Sequence, residues 1–204
     1  RPDGYSQSPN YTLIGLHTKP YNVRFSDNVK VFGIRFKPEG IYNIFGVPAS
    51  EFTGRYEDMS DVLGSKFKSF SDSLTEEKSI QDRLNRVESY LSDMLRKNDI
   101  GQGYVNRAAE LIRKSNGILR IDDLPGQLFI SLRQLEREFK NKIGISPKHY
   151  LRISRLNEVH RLLERSRELS LTQLAYQSGY ADQAHFIRDF TSITGEKPGI
   201  FLRE

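Results

Sequence analysis

The hydrophobic positions follow two periods, and the change from one to the other divides the chain. Residues 11–16 (YTLIGL) and 29–36 (VKVFGIRF) are short runs of β-branched and aromatic residues, punctuated by Pro20, Asn28, Pro38 and Gly40. Such runs between turn formers predict strands and loops. In the second run Val29, Val31, Gly33 and Arg35 alternate with Lys30, Phe32, Ile34 and Phe36, so both faces carry apolar character. Residues 38–45 predict one short helix, with Ile41, Ile44 and Phe45 on its apolar side. From Ser73 the period lengthens. Ser73 and Glu76 have the spacing of a capping box, and Ile80, Leu84, Val87, Leu91 and Leu95 form the stripe of an amphipathic helix. The run NDIGQG at 98–103 interrupts it and marks a domain boundary.

Beyond that boundary the pattern is helical and repeats itself. Residues 104–115 place Val105, Ala108, Leu111 and Ile112 inward and stop at Asn116 and Gly117. Residues 121–128 predict a short helix that tolerates Pro125 only in its first turn. Ser131 and Gln134 then open a helix whose Leu135 and Phe139 are an i, i+4 pair. Residues 149–164 predict a helix about 24 Å long, with Ile153, Leu156, Val159 and Leu163 as its core stripe and Arg152, Arg155, Arg161 and Arg165 over the rest. Ser170 caps a further helix carrying Leu171, Leu174 and Ala175, which Gly179 closes with a positive φ. Asp182 caps the last one, buried through Phe186 and Phe190. Phe139, Gly144 and Pro147 share their internal spacing with Phe190, Gly195 and Pro198, at an offset of 51 residues. A helix, a tight turn and a second helix match a helix-turn-helix, and the matched spacing points to two copies of it.

Charge sharpens this division. The net +5 is carried by the second half: residues 1–100 hold 14 Lys and Arg against 14 Asp and Glu, whereas residues 101–204 hold 17 against 12. Residues 131–167 alone hold 10 against 4, a local excess suited to phosphate. On the outward side of the first unit's second helix lie Arg133, Gln134, Glu136, Arg137 and Lys140. Arg suits guanine, Gln adenine and Glu the cytosine amino group. The corresponding side in the second unit carries Ala184, His185 and Arg188, with Gln183 and Ile187 on its flanks.

Other chemistry finds little footing. There is no cysteine, so disulfides, thiolate metal sites and cysteine nucleophiles are excluded. His17 is the only histidine of the first half and has no paired ligand nearby in sequence, so it reads as a surface or loop residue. The aromatic residues of the first half could line an apolar ligand pocket, although packing a core is their commoner use. No catalytic residue, metal site or cofactor is expected. No apolar run approaches the ~20 residues that span a bilayer, and no secretory signal opens the chain. With Arg1 in first place, the sequence reads as a fragment of a longer protein.

Residues from about 104 to 203 resemble the DNA-binding domain of the AraC/XylS family of bacterial transcription regulators. The likeness rests on Leu124, Ser131, Leu135, Arg137, Phe139, Gly144, Pro147, Tyr150, Leu151, Arg155, Leu156, Leu162, Leu163, Leu174, Ala175, Gly179, Tyr180, Phe186, Arg188, Phe190, Gly195 and Pro198, and most of all on GYADQAHFIRDF followed by TGEKP. It implies a seven-helix domain whose two helix-turn-helix units read adjacent major-groove segments of double-stranded DNA. By that analogy Arg133, Glu136 and Arg137 read one segment, and Gln183, Ala184, Ile187 and Arg188 the other. Ser131, Gln134 and His185 complete the expected interface. Two departures stand out. Pro125 stands where the family usually has an alanine in the positioning helix, with Gly126 after it, and Ala184 and Ile187 leave the second reading face short of polar groups. Residues 32–63 also resemble the N-terminal sensor or dimerisation regions of some such regulators, which are often cupin-like.

The expected fold is therefore α+β: a partial, β-rich, cupin-like sensor region over 1–72, an amphipathic linker helix and loop over 73–103, and an all-α double helix-turn-helix domain over 104–204. The expected function is sequence-specific DNA binding by a cytoplasmic regulator, with room for a small-molecule effector at the N-terminal region and for a homodimer, and no membrane partner. A repair enzyme sharing this domain would need a nucleophilic cysteine that the chain lacks. An interaction or ligand-sensing module that keeps the fold with weak DNA binding is the alternative.

Overall fold

The computed structural model describes residues 7–25, 28–98, 103–166 and 168–200. Its contacts divide the chain into two units, one of residues 7–16, 36–98 and 142–144 and one of the remaining described residues. In the first unit β1 (Thr12–Ile14) is followed by α1 (Gly40–Phe45) and β2 (Tyr56–Asp58), then by α2 (Met59–Leu63), α3 (Ser65–Glu76) and α4 (Ile80–Lys97). The two strands pair antiparallel with Leu13 opposite Glu57. They are three residues long, and the unit is held by helices instead. Phe67 and Val87 are buried, the Phe70 and Tyr90 rings stack at 3.9 Å, and the Tyr11 hydroxyl donates to the Ser71 carbonyl at 2.7 Å. Asn98 donates from its side chain to the carbonyl of Ile44 at 2.6 Å, fastening the end of α4 to α1.

The β-rich, cupin-like region expected here is not seen among the described residues. Residues 29–36 form no strand, and Val29, Val31, Phe32 and Ile34 stay exposed. A strand needs a partner for its backbone groups, and the one pairing among the described residues is β1 with β2. The helix expected at 38–45 is present as α1. Ser73 caps nothing: it lies inside α3 and its hydroxyl donates to the Phe70 carbonyl at 2.6 Å, the back-bonding open to a serine in mid-helix. The cap of α4 is Ser79, which accepts from the Asp82 N–H. Of the boundary placed at 98–103, residues 99–102 lie outside the described residues.

The second unit contains α5 (Tyr104–Lys114), α6 (Leu124–Leu128), all but the last two residues of α7 (Leu132–Ile143), α8 (Pro147–Arg165), α9 (Leu171–Gln177) and α10 (Gln183–Thr194). Six α-helices thus stand among its described residues, with single 3-10 turns at Ile121–Asp123 and Pro198–Ile200 in addition, where the family likeness implied seven. Pro125 lies in the first turn of α6, as its missing N–H requires. Gly144 and Gly195 both take left-handed φ, 94° and 79°, and end α7 and α10 alike. The long helix runs two residues beyond the expected start, with Ser146 accepting from the His149 N–H and Pro147 in its first turn. Its buried face is wider than one stripe. Tyr150, Leu151, Ser154, Glu158 and Val159 are buried, while Ile153, Leu156 and Leu163 are only partly so. The reason is that α8 packs against α5 on one side and against α9 and α10 on another.

Candidate nucleic-acid interface

Each helix-turn-helix is positioned by an aromatic anchor and a capped N-terminus. In the first, the Gln134 N–H donates to the Ser131 hydroxyl at 3.1 Å, and Leu135 and Phe139 are fully buried. Burying side chains of this size stabilises by about 1.5–3 kcal/mol each, which fixes the face α7 turns outward. On it Arg133, Gln134, Glu136, Arg137 and Lys140 are all exposed. The Arg137 guanidinium pairs with its neighbour Glu138 at 3.1 Å, in solvent, and the Gln134 side chain reaches the Tyr104 phenol at 3.4 Å. Gln134 therefore sits at the edge of the group rather than in its middle.

In the second unit Ser170 and Gln173 form a reciprocal capping box at the start of α9. The turn follows at Gly179, where φ is 76° and an added Cβ would lie 2.7 Å from Ile118 Cγ1, so only glycine fits. Asp182 then accepts from the His185 N–H at 2.7 Å. Phe186 and Phe190 join Val159, Leu174, Ala175 and Tyr180 in one core, and Ile187 packs against its edge. Ala184 and Arg188 are exposed. His185 is half-buried, with its ring edge-on to Tyr180 at 5.3 Å. Gln183 is tied by its carbonyl oxygen to the Thr172 hydroxyl at 2.8 Å. Of the residues the sequence placed here, Ala184 and Arg188 face outward, Gln183 stands at the near edge, and His185 and Ile187 lean on the core.

Three of the four arginines of α8 are engaged within the domain. Arg152 donates to Asp189 at 2.6 Å and to the Ser192 hydroxyl at 2.5 Å. Arg155 donates to the Gly117 carbonyl at 2.6 Å and lies over the Tyr180 ring, and Arg161 pairs with Glu158 on its own helix. Asp189 also accepts from the Tyr180 hydroxyl at 3.3 Å. Burial, and then the charge of Asp189, hold the Tyr180 phenol well above the usual tyrosine range, so it remains a donor. Sequence reasoning missed this network. Its one local signal was a carboxylate on the buried side of α10, between Phe186 and Phe190, which demands a partner. Among the described residues no cluster of His, Cys, Asp or Glu could hold a metal, and no helix is long and apolar enough to cross a membrane.

Two short helices joined by a tight turn, with a core-anchored second helix, occur twice in this unit and define a helix-turn-helix domain. Residues 126–204 match the family described as Helix-turn-helix domain, and residues 2–58 match one described as Domain of unknown function (DUF6597). The HTH-type transcriptional activator RhaS of Escherichia coli O1:K1 / APEC is 42% identical over 65 residues, 32% of this chain and 23% of RhaS. The chain thus aligns with less than a quarter of the length of the curated relatives it matches. The C-terminal domain of AraT from Geobacillus stearothermophilus is 30% identical over 49% of this chain and 84% of that one, with a TM-score of 0.45. ToxT from Vibrio cholerae is 20% identical over 71% of this chain and 53% of its own, with a TM-score of 0.43. The chain belongs to the AraC/XylS family of transcription regulators, with its helix-turn-helix domain on the C-terminal side.

Proposed function

We propose that this chain binds double-stranded DNA sequence-specifically as a bacterial, cytoplasmic transcription regulator, with α7 and α10 entering adjacent major-groove segments. The observation that supports this best is that both helices bury a phenylalanine-bearing side and leave an arginine-bearing side exposed: Arg133 and Arg137 on α7, Arg188 on α10. In this reading Arg133, Glu136 and Arg137 contact base edges of one segment, and Gln183, Ala184 and Arg188 those of the other. Ser131 and Gln134 border the first contact, His185 and Ile187 the second. Because Arg152, Arg155 and Arg161 are engaged within the domain, phosphate contacts fall to exposed cations such as Lys140 and Arg165. The first unit is left to receive the regulatory input, a small-molecule effector or a second copy of the chain.

The test begins with selection of bound sequences from a pool of randomised duplexes, followed by titration of the selected site with salt. A DNA reader loses affinity with a log–log slope of several units. Arg137→Ala and Arg188→Ala should each weaken specific binding by roughly 1–3 kcal/mol. If no sequence is enriched, or if both variants bind the selected site like the parent, the assignment is wrong.

A further inference from the structure

We infer that Thr172 sets which base Gln183 prefers, turning a residue suited to adenine into one that favours guanine or thymine. The inference rests on the DNA-binding function proposed above. Gln183 is the first residue of α10, and Thr172 lies in the first turn of α9. Both are exposed enough to meet a groove. Neither helix end is free to shift: the Ser170–Gln173 capping box pins one and Asp182, accepting from the His185 N–H, pins the other. Between these fixed points the Thr172 hydroxyl donates to Gln183 Oε1 at 2.8 Å.

That bond decides which edge of the amide remains for DNA. A free glutamine reads adenine with both edges at once, its carbonyl accepting from N6 and its NH2 donating to N7. Here the carbonyl already accepts from α9, while the NH2 keeps both of its donors for a base. Those donors suit the acceptors of guanine (N7 and O6) or thymine (O4), whereas the adenine amino group has only the second lone pair of the carbonyl to meet. Reading adenine in both contacts requires that second lone pair to face the groove while the first stays with Thr172. Thr172 is thus a positioning residue, acting on sequence preference through Gln183 while touching no base itself.

Bind-and-sequence selection on randomised duplexes tests this with the full chain, Gln183→Ala, Thr172→Val and Thr172→Ser. Gln183→Ala identifies the base pair that Gln183 reads, as the position whose preference it abolishes. At that position the parent should favour guanine or thymine over adenine. Thr172→Val keeps the side-chain shape, removes the hydroxyl and should move the preference toward adenine by about fivefold to tenfold, while Thr172→Ser should match the parent. An adenine preference in the parent, or an unchanged preference in Thr172→Val, overturns the inference. So does a uniform loss of affinity at all positions with a lowered Tm in Thr172→Val, since that marks a residue that only stabilises α9. Enrichment of a motif with no Gln183-dependent position overturns this inference and leaves DNA binding standing. Failure of the parent to enrich any sequence overturns both.

Discussion

Phe129 ends α6 with φ at 54°, and its ring is 95% exposed. A left-handed conformation costs an L side chain about 1–2 kcal/mol, and so exposed a ring returns little packing for it. The second unit makes its turn with Gly179, which bears no such cost. Phe129→Gly should therefore raise stability by about 0.5–1 kcal/mol after the extra freedom glycine has in the unfolded chain, an increase in Tm of about 2 °C for a chain of this size. Thermal denaturation checks this; an unchanged or lower Tm would show that the turn is unstrained. His149, in the first turn of α8, bears the opposite kind of burden. Its Nε2 is buried with no hydrogen-bond partner. Burial, and then the Arg152 charge, hold its pKa below the usual histidine value, with Asp189 acting the other way. The unfolded chain therefore takes up the proton more readily, so stability is full above about pH 6.5 and falls as the pH drops below it. Between about pH 7.5 and pH 5.5 the parent should lose more stability than His149→Gln, which shares its other titrating groups. Equal losses would place the His149 ring in water.

At the scale of elements, α8 joins the two helix-turn-helix units, and its arginines differ sharply in use. Arg152 neutralises Asp189, whose side chain is 9% exposed, while Arg165 is exposed in the last turn of the helix. Arg152→Ala should cost about 1–3 kcal/mol, because it strands a buried carboxylate although the lost guanidinium was itself partly in solvent. Arg165→Ala should change stability by no more than about 0.5 kcal/mol, and should reduce the salt slope of DNA binding if that side chain meets a phosphate. Denaturant titration and salt titration separate the two. The same contrast explains which elements could be read beforehand. The i, i+4 phenylalanine pairs, the Ser170 and Asp182 caps and the Gly–Pro stops are local, so α7 to α10 follow from the sequence within a few residues. The Arg152–Asp189 bond joins residues 37 apart, and a count of positive charges along α8 has no means of knowing that three of its four arginines are already satisfied. Residues 29–36 failed for a related reason. Their alternation is a strand's, but a strand is completed by a partner, and none pairs with them among the described residues. The exposure of Arg133, Arg137 and Arg188 was legible from helical phase alone, whereas the restraint of Gln183 by Thr172 depends on how two helices cross.

For the molecule as a whole, the DNA reading proposed above and one continuous helix between the two helix-turn-helix units together predict a fixed spacing. The 19 residues of α8 span about 28 Å at 1.5 Å per residue, and the bonds from Arg152 to Asp189 and from Arg155 to Gly117 fasten that helix to elements on both sides. A flexible tether would let each unit search for its own segment, so that separating the segments would cost little affinity. A rigid joint cannot follow. Duplexes carrying the selected site with 5 extra base pairs (~17 Å) between its two segments place them on opposite faces of the DNA; 10 extra base pairs (~34 Å) restore the face and exceed the reach. Both insertions should lower affinity by about 100-fold or more, to the level of one unit bound alone. In the parent site Arg137→Ala and Arg188→Ala should each lose protection over a different segment in a footprint. With the 10-base-pair insertion, one of the two substitutions should have no further effect, since its segment is already released. Equal binding to all three duplexes would mean that the two units move independently, and that α8 and its arginine bonds do not set the distance between them.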